Sequence, residues 1–303
     1  MKRKVRSLLG TEQLTPAQIS SYIKLARRMD PRHAPQRLKG LRVVLLFYES
    51  STRTRISFEF AAKALGATTT VITAASSSIE KGESLIDTGW TLASLGGDAI
   101  VVRHPCSGAP YLLSRYSPVP VINAGDGLHQ HPSQALLDAL TIANHKNSFK
   151  GLRAVIVGDV FHSRVARSNA FLLTAMGAGV TFCGPPDLVP DISAQLTPGV
   201  TACHNLEAAL KGADVVMSLR VQKERLAGKE ISVEEYIERY QIDGRRMKLA
   251  KPDAILLHPG PIIRGMELSS EVADGPQSCI LEQVSNGVKM RMAILATALG
   301  KAA

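Results

Sequence analysis

The sequence predicts an α/β fold with two domains, each a parallel β-sheet flanked by helices. Short apolar runs bounded by turn residues alternate with helical patterns along the chain, which is typical of parallel sheets covered on both faces. In addition, one strand–loop–helix pattern occurs twice, beginning at Lys39 and at Lys150. A chain of 303 residues is long enough for two ordinary domains.

The repeated pattern consists of a Lys-Gly turn, a leucine- and valine-rich strand and a polar loop. The two copies read KGLRVVLLFYESSTRTR and KGLRAVIVGDVFHSRVAR. A helical segment follows each copy and ends near a glycine, at Gly66 and at Gly177. Because glycine after the last periodic residue stops helices, each copy predicts the opening unit of its own domain.

Six further apolar runs predict the remaining strands. They are 68–73, 98–103, 119–124, 179–184, 214–219 and 253–258. The segment 130–147 predicts a helix, and we expect the chain to pass between domains near its polar end at Asn147. The last segment, 286–303, predicts a helix whose pattern fits packing on either half.

The composition predicts a cytoplasmic globular protein. Hydrophobic residues make up 45% and charged residues 20% of the chain. No apolar run reaches the length of a membrane span, and the apolar part of the N-terminus is too short for a signal peptide. The cysteines lack CxxC spacing, which argues against a zinc site or disulfides and predicts free, mostly buried thiols. They are Cys106, Cys183, Cys203 and Cys279.

The formal charge of +10 permits two interpretations. One is a nucleic-acid-binding protein, and the other is a basic surface for small anionic substrates. The basic residues are spread along the chain, and aromatic residues, which stack on bases, are only 5%. The anionic-substrate interpretation is at least as good.

The loop SSTRTR, from Ser50 to Arg55, follows the first predicted strand and opens a helix. Unpaired N–H groups and the helix dipole favour an anion at this position. Hydroxyl groups and arginine forks add donors that suit phosphate. The alternative is an ordinary helix cap with solvated arginines, since serine and threonine are common caps.

Polar residues also end other predicted strands. Arg103 ends one strand, Arg220 ends another shortly before Gln222, and His258 leads into Pro259 and Gly260. In parallel α/β sheets, ligands bind beyond the carboxyl ends of the strands, which is where these residues are predicted to lie.

His131 and Gln134 lie at a predicted helix start, where they can polarise and orient an amide-like substrate. No carboxylate or thiol has the local spacing of a metal site, so we predict no metal. The loop 76–84 contains Lys81, which can reach an anion, although a plain surface loop is the default. The sequence contains no GxSxG or HExxH motif. These residue types favour catalysis by positioning and electrostatic stabilisation of two anionic substrates.

Several ordered motifs together resemble the carbamoyltransferase family. They are SSTRTRISFE, VRHP, NAGDGLHQHPSQALLDALTI, GDVFHSRVARSN, LRVQKER and LHPGP, spread from Phe47 to Asn286. STRTR with HPxQ marks the whole family, whereas VRHP, LRVQ and HPGP resemble its aspartate branch. The SMG and HCLP motifs of the ornithine branch are not in the sequence.

The resemblance implies a carbamoyl-phosphate-binding domain at 1–143, completed by a C-terminal helix at 286–303, and an aspartate-binding domain at 144–285. It implies transfer of the carbamoyl group from carbamoyl phosphate to L-aspartate, the committed step of pyrimidine synthesis. It also implies no cofactor and a homotrimer with shared active sites, and predicts neither a nucleic-acid nor a membrane partner. Whether regulatory chains or a dihydroorotase partner bind the trimer stays open.

The resemblance also implies individual roles. Phosphate would be held by Ser51, Thr52, Arg53 and Thr54. The carbamoyl oxygen would be met by Thr54, Arg103 and His131, and the carbamoyl NH2 by Gln134 and the carbonyls of Pro259 and Gly260. Aspartate would be bound by Arg164, Arg220 and Gln222, with Lys81 and Ser77 supplied by a neighbouring subunit.

One departure and two alternatives accompany the resemblance. Ile263 stands where the family often has asparagine, and we expect a small effect on the loop. A different amine acceptor is one alternative, although Arg164 and Arg220 would repel the cationic side chain of ornithine. A silent scaffold protein is the other, and the complete set of site residues argues against it.

Overall fold

The computed structural model describes residues 6–73, 83–221 and 231–302. The chain divides into two compact units, the first formed by Met1–Leu140 with Ser285–Ala303 and the second by Thr141–Val284. Each unit contains one parallel sheet flanked by helices, which confirms the predicted fold class.

The described part of the first unit contains four strands. They are β1 (Arg42–Phe47), β2 (Thr68–Thr73), β3 (Ala99–His104) and β4 (Val121–Asp126). The helices that begin in this unit are α1 (Pro16–Arg27), α2 (Thr52–Ala64), α3 (Leu85–Ser94), α4 (Ala109–Tyr116) and α5 (Pro132–His145). The sheet order is β2-β1-β3-β4, with every neighbouring pair parallel.

The described part of the second unit contains five strands. They are β5 (Arg153–Val157), β6 (Gly179–Cys183), β7 (Val200–Cys203), β8 (Val215–Ser218) and β9 (Ile255–Leu257). Its helices are α6 (Arg164–Ala175), α7 (Leu206–Leu210), α8 (Val233–Tyr240), α9 (Gly244–Met247) and α10 (Ser270–Ala273), with a 3₁₀ helix at Asp191–Gln195 and the start of α11 (Ile280–Ala298). The sheet order is β7-β6-β5-β8-β9, again parallel throughout.

The strands in the middle of both sheets are apolar because helices cover both of their faces. All residues of β1 after Arg42 are buried, and so are all residues of β8. Val102 of β3 and Leu113 of α4 belong to one apolar cluster of the first unit. Such burial on both faces explains why the strands read as continuous apolar runs rather than as alternating ones.

Two details differ from the sequence-based prediction. The strand β7 was not predicted, because it has four residues and begins with its only fully buried one, Val200. The C-terminal helix begins at Ile280, whereas the prediction started it at residue 286. This helix packs against the first unit, where Met290, Ile294 and Leu295 are fully buried.

Of the helices among the described residues, none combines the length and the apolar character that crossing a membrane requires. All four cysteines are free, as predicted, and Cys183 and Cys279 are buried whereas Cys106 is exposed.

Candidate active site

Each sheet has a central strand from which the chain continues to one side of the sheet and later to the other. In the first sheet β2 lies on one side of β1 and β3 on the other, and in the second sheet β6 and β8 flank β5. In α/β proteins, ligands bind at the carboxyl ends of the strands beside such a central strand, a region that is called the crevice of each sheet below. The predicted site residues Arg53 and Arg103 lie at this edge of the first sheet, and Arg164 and Arg220 at that of the second.

The turn that opens α2 is not closed by its own side chains. Ser51 is the N-cap residue, but its hydroxyl makes no capping hydrogen bond. Thr54, in the first turn, is buried, whereas Thr52 and Arg53 are exposed. The first N–H groups of α2 therefore keep the positive end of the helix available to an anion, and the side chain of Ser51 does not form the cap that the alternative assumed.

Arg103 is held at the carboxyl end of β3 by polar contacts on both sides. Its carbonyl oxygen accepts a hydrogen bond from the Tyr48 N–H at 2.9 Å, which ties β3 to the end of β1. Its guanidinium donates to the Ala124 carbonyl at 3.4 Å, and its Nε lies 3.2 Å from Oε2 of Glu49. With 11% of the side chain exposed, the cation is aimed along the sheet edge rather than into bulk solvent.

The loop between β4 and α5 is shaped by the buried carboxylate of Asp126. This carboxylate accepts hydrogen bonds from the Gly108 N–H at 2.7 Å, the Gln130 N–H at 3.0 Å and the Asn123 amide at 2.8 Å. Buried charges persist when hydrogen bonds satisfy them in this way. The loop delivers His131 to the start of α5, as the sequence predicted.

His131 and Gln134 are both largely buried. The carbonyl oxygen of His131 accepts a hydrogen bond from the Gln134 N–H at 2.9 Å, which places both residues in the first turn of α5. The Nε2 of Gln134 donates to Oδ1 of Asp138 at 2.9 Å, one turn further along the helix. An imidazole and an oriented amide thus lie together at the start of α5.

The second sheet presents arginines at the equivalent edge. Arg164 is the first residue of α6, and Arg220 follows β8. The Leu219 N–H donates to the Val157 carbonyl at 2.8 Å, so the ends of β5 and β8 are tied together. Gly158 has φ 124°, and a Cβ there would lie 3.1 Å from the Leu219 carbonyl oxygen, so this close approach requires glycine.

The loop after β9 is fixed from inside by His258. Its Nδ1 accepts a hydrogen bond from the Gly260 N–H at 2.8 Å, and its Nε2 lies 3.2 Å from Oε1 of the fully buried Glu267. The same carboxylate oxygen accepts from the Ile263 N–H at 2.6 Å. Ile263 is half-buried and packs against the core of its unit, so it is anchored through its backbone and its apolar side chain.

One cluster of the second unit combines residue types that bind metals. Potential ligand atoms of His145, Cys279 and Glu282 lie within 4.8 Å of one another. However, Nε2 of His145 and Oε2 of Glu282 are 2.6 Å apart, closer than the separation of about 3.3 Å between two ligands of one tetrahedral zinc ion. In this geometry they share a hydrogen bond and do not present two separate ligands to a tetrahedral ion.

The chain matches both parts of one protein family. Residues 6–144 match the carbamoyl-P binding domain of aspartate/ornithine carbamoyltransferase, and residues 150–298 match its Asp/Orn binding domain. The aspartate carbamoyltransferase catalytic subunit of Koribacter versatilis is 64% identical over 99% of both chains.

The chain belongs to the aspartate/ornithine carbamoyltransferase family. Solved structures of the family have the same fold. Aspartate transcarbamoylase from Trypanosoma cruzi, in complex with carbamoyl phosphate and aspartate, has a TM-score of 0.85 at 33% identity and covers 96% of each chain. Ornithine carbamoyltransferase from Pyrococcus furiosus has a TM-score of 0.86 at 30% identity over 97% of each chain.

Three of the residues that the family resemblance assigned lie outside the described residues. They are Ser77 and Lys81, which precede α3 in the sequence, and Gln222, which follows β8 in the sequence. The roles predicted for them stay predictions.

Sequence reasoning missed the buried charges that support the site. Asp126, Glu267, Asp138 and Arg291 are each at most 3% exposed. The last two had a signal, because each is a lone charge in an otherwise apolar helical run, ALLDALTI for Asp138 and MRMAILATAL for Arg291. A charge at such a position requires a buried partner.

Proposed function

We propose that this chain is an aspartate carbamoyltransferase, which joins carbamoyl phosphate and L-aspartate to give N-carbamoyl-L-aspartate and phosphate. The single observation that carries the proposal is the placement of arginines at the carboxyl edge of both sheets, Arg53 and Arg103 in the first and Arg164 and Arg220 in the second. The name of the 64% identical Koribacter versatilis relative supports the same reaction. In pyrimidine synthesis this is the committed step.

In this proposal the first crevice binds carbamoyl phosphate. The phosphate lies at the open N-terminus of α2, where Ser51, Thr52, Arg53 and Thr54 donate hydrogen bonds to its oxygens. Residues 1–143 and 286–303 form the domain that binds this substrate, and residues 144–285 form the domain that binds aspartate.

The neutral amine of aspartate attacks the carbamoyl carbon. A C–N bond forms, negative charge develops on the carbamoyl oxygen, and Arg103, His131 and the Thr54 hydroxyl donate to that oxygen. The C–O bond to phosphate then breaks, Arg53 stabilises the departing oxygen, and the phosphate carries away the amine proton. The reaction needs no covalent enzyme intermediate, no cofactor and no metal.

The carbamoyl NH2 is recognised by oxygen atoms that accept its hydrogen bonds. Oε1 of Gln134 and the carbonyl oxygens of Pro259 and Gly260 accept its hydrogens, which turns the carbonyl oxygen toward the donors. Hydrogen bonds of this kind fix orientation, and orientation lowers the barrier to attack.

Aspartate is held by its two carboxylates, one on Arg164 and one on Arg220. Gln222 and Lys81 assist, and Lys81 and Ser77 come from a neighbouring subunit, which makes a cytoplasmic homotrimer the working form. Two guanidinium forks favour a dianionic acceptor over ornithine, whose side chain is cationic. Because the fold resembles aspartate and ornithine enzymes equally well, the acceptor is argued from these side chains and not from the fold.

The experiment is product formation from carbamoyl phosphate with L-aspartate, L-ornithine or putrescine, in EDTA. Turnover with aspartate alone is the expected result. Turnover only with a cationic amine would overturn the proposed second crevice while keeping the first. No turnover by a folded trimer would reject the proposed reaction for this chain.

A further inference from the structure

The proposed reaction does not use one buried carboxylate of the first unit, that of Asp138. It lies in α5, is completely buried, and accepts a hydrogen bond from Nε2 of Gln134 at 2.9 Å. Removing a carboxylate from water is unfavourable unless partners compensate for it. Asp138 lies one helical turn after Gln134, whose amide is proposed to bind substrate, so its carboxylate is a candidate for a role in function.

The C-terminal helix supplies a cation to the same region. Arg291 of α11 is buried, and burial lowers the pKa of its guanidinium to about 10 although attraction to Asp138 raises it. The guanidinium lies over the ring of Phe58 at 5.1 Å. It also passes over Gly287, where a Cβ would lie 2.6 Å from Nη1, so a larger residue there would require the guanidinium to shift. The guanidinium and the carboxylate of Asp138 attract each other.

An ionised carboxylate can only accept hydrogen bonds, whereas a glutamine amide has a donating and an accepting end. The Gln134 amide must therefore turn its NH2 toward Asp138, and its Oε1 points away from that contact. We propose that Asp138, with Arg291 as its counter-ion, is a positioning residue that presents Oε1 of Gln134 to the substrate and thereby selects an acyl phosphate bearing NH2 over one bearing CH3. This inference rests on the proposed function and adds a specificity determinant to it.

The consequence is specific to the amide orientation. With asparagine at position 138, the partner of Gln134 can donate as well as accept, and Gln134 can present its NH2 to the substrate instead. Two NH2 groups then face each other in the carbamoyl phosphate complex and leave buried donors unpaired. Acetyl phosphate, which has a methyl group at that position, has no such hydrogen bond to lose.

The test compares the two acyl phosphates on the full-length protein. It measures kcat/KM for carbamoyl phosphate and the competitive inhibition constant of acetyl phosphate, and it takes their ratio as the selectivity. In Asp138→Asn, kcat/KM should fall about 10-fold to 100-fold, the effect of an unpaired buried donor, while acetyl phosphate inhibition changes less than about 3-fold. A selectivity equal to that of the parent would overturn the inference.

Asp126→Asn is the matched control, because Asp126 is an equally buried carboxylate of the same unit that holds loop backbone and not Gln134. It should weaken both ligands by the same factor. If Asp126→Asn lowered the selectivity as much as Asp138→Asn, the effect would be a general one of losing a buried carboxylate, and the positioning role would be rejected.

Arg291→Met is the second variant, and it decides the matter if Asp138→Asn does not fold. Removing the guanidinium removes its attraction for the Asp138 carboxylate, which weakens the acceptor that orients Gln134, so the selectivity should fall in the same direction as in Asp138→Asn. Unchanged selectivity in a folded Arg291→Met would reject the role of Arg291. The parent is assayed first, because an inactive parent rejects the proposed function, whereas an active parent with unaltered selectivity in the variants rejects only this inference.

Discussion

The helices α2 and α6 begin with nearly the same sequence pattern, but their first turns differ in capping. At α6 the hydroxyl of Ser163 accepts a hydrogen bond from the Ala166 N–H at 3.0 Å, which closes the first turn. At α2 the corresponding Ser51 makes no capping bond. One helix start is satisfied internally, and the other is left with donors to offer.

The difference shows how one strand–loop–helix unit can serve two kinds of anion. An open turn offers several N–H groups and the helix dipole, which suits a compact phosphate. A closed turn leaves recognition to a long side chain such as Arg164, whose planar fork matches a carboxylate. Three predictions test this contrast and a fourth concerns two histidines at strand ends, in order from the largest expected effect to the smallest.

Arg53→Ala should lower kcat about 10²- to 10³-fold with the fold intact, because it removes a charged donor from the leaving phosphate. Steady-state kinetics and circular dichroism on the same preparation check both parts. Arg55→Ala is the control, since Arg55 lies in the same turn and has no proposed contact with substrate. A near-normal kcat in Arg53→Ala would remove this residue from the mechanism.

Arg220→Ala should raise the KM for aspartate about 10-fold to 100-fold, the effect of losing a charge-assisted hydrogen bond to a carboxylate. The KM for carbamoyl phosphate should change little, because that substrate belongs to the other crevice. Arg153→Ala is the matched control, since Arg153 lies at the opposite, amino end of β5. Equal effects of the two variants would contradict a carboxylate site at the carboxyl edge.

Serine-to-alanine changes at the two helix starts should act on different properties. Ser163→Ala should lower the free energy of unfolding by about 1 kcal/mol, as expected for a lost cap. Ser51→Ala should leave stability nearly unchanged and weaken inhibition by inorganic phosphate. Urea unfolding and phosphate inhibition, measured on both variants, test the contrast, and a stability loss confined to Ser51→Ala would reverse it.

Two histidines near strand ends should respond oppositely to pH. Burial lowers the pKa of His104, so its contribution to stability is lost as the pH falls below the ordinary histidine range. The Gly184 carbonyl and Asp191 raise the pKa of His204, so its contribution is present in acid and lost as the pH rises. The measured quantity is the free energy of unfolding at about pH 8 minus that at about pH 5. Relative to the parent, this difference should decrease in His104→Gln and increase in His204→Gln, and the effect should be the smallest of the four.

The sequence was sufficient for the parts of the fold that follow from local apolar pattern. The runs at 68–73 and 98–103 became β2 and β3, and the helix predicted at 130–147 became α5. It was insufficient for β7, whose four residues carry little apolar signal. The start of α11 was placed too late because Asn286 and Gly287 resemble a boundary, although the helix runs through both.

The strand-end positions of the candidate residues were predictable, as Arg103 at the end of β3 and His131 after β4 show. The supports of the candidate site were not, because they depend on contacts between distant segments. Asp138 and Arg291 lie more than 150 positions apart, and Asp126 acts through the backbone of Gly108. A local pattern reveals that a charge lies in an apolar helix, but not which partner makes it tolerable.

The return of the chain's last segment to the first unit has a consequence for synthesis. A ribosome releases residues 141–284 in one continuous stretch, whereas the first unit waits for Ser285–Ala303. At about 5–20 residues per second, the counter-ion of Asp138 arrives many seconds after the helix that needs it. A nascent chain thus holds Asp138 without the attraction of Arg291 until the final residues emerge.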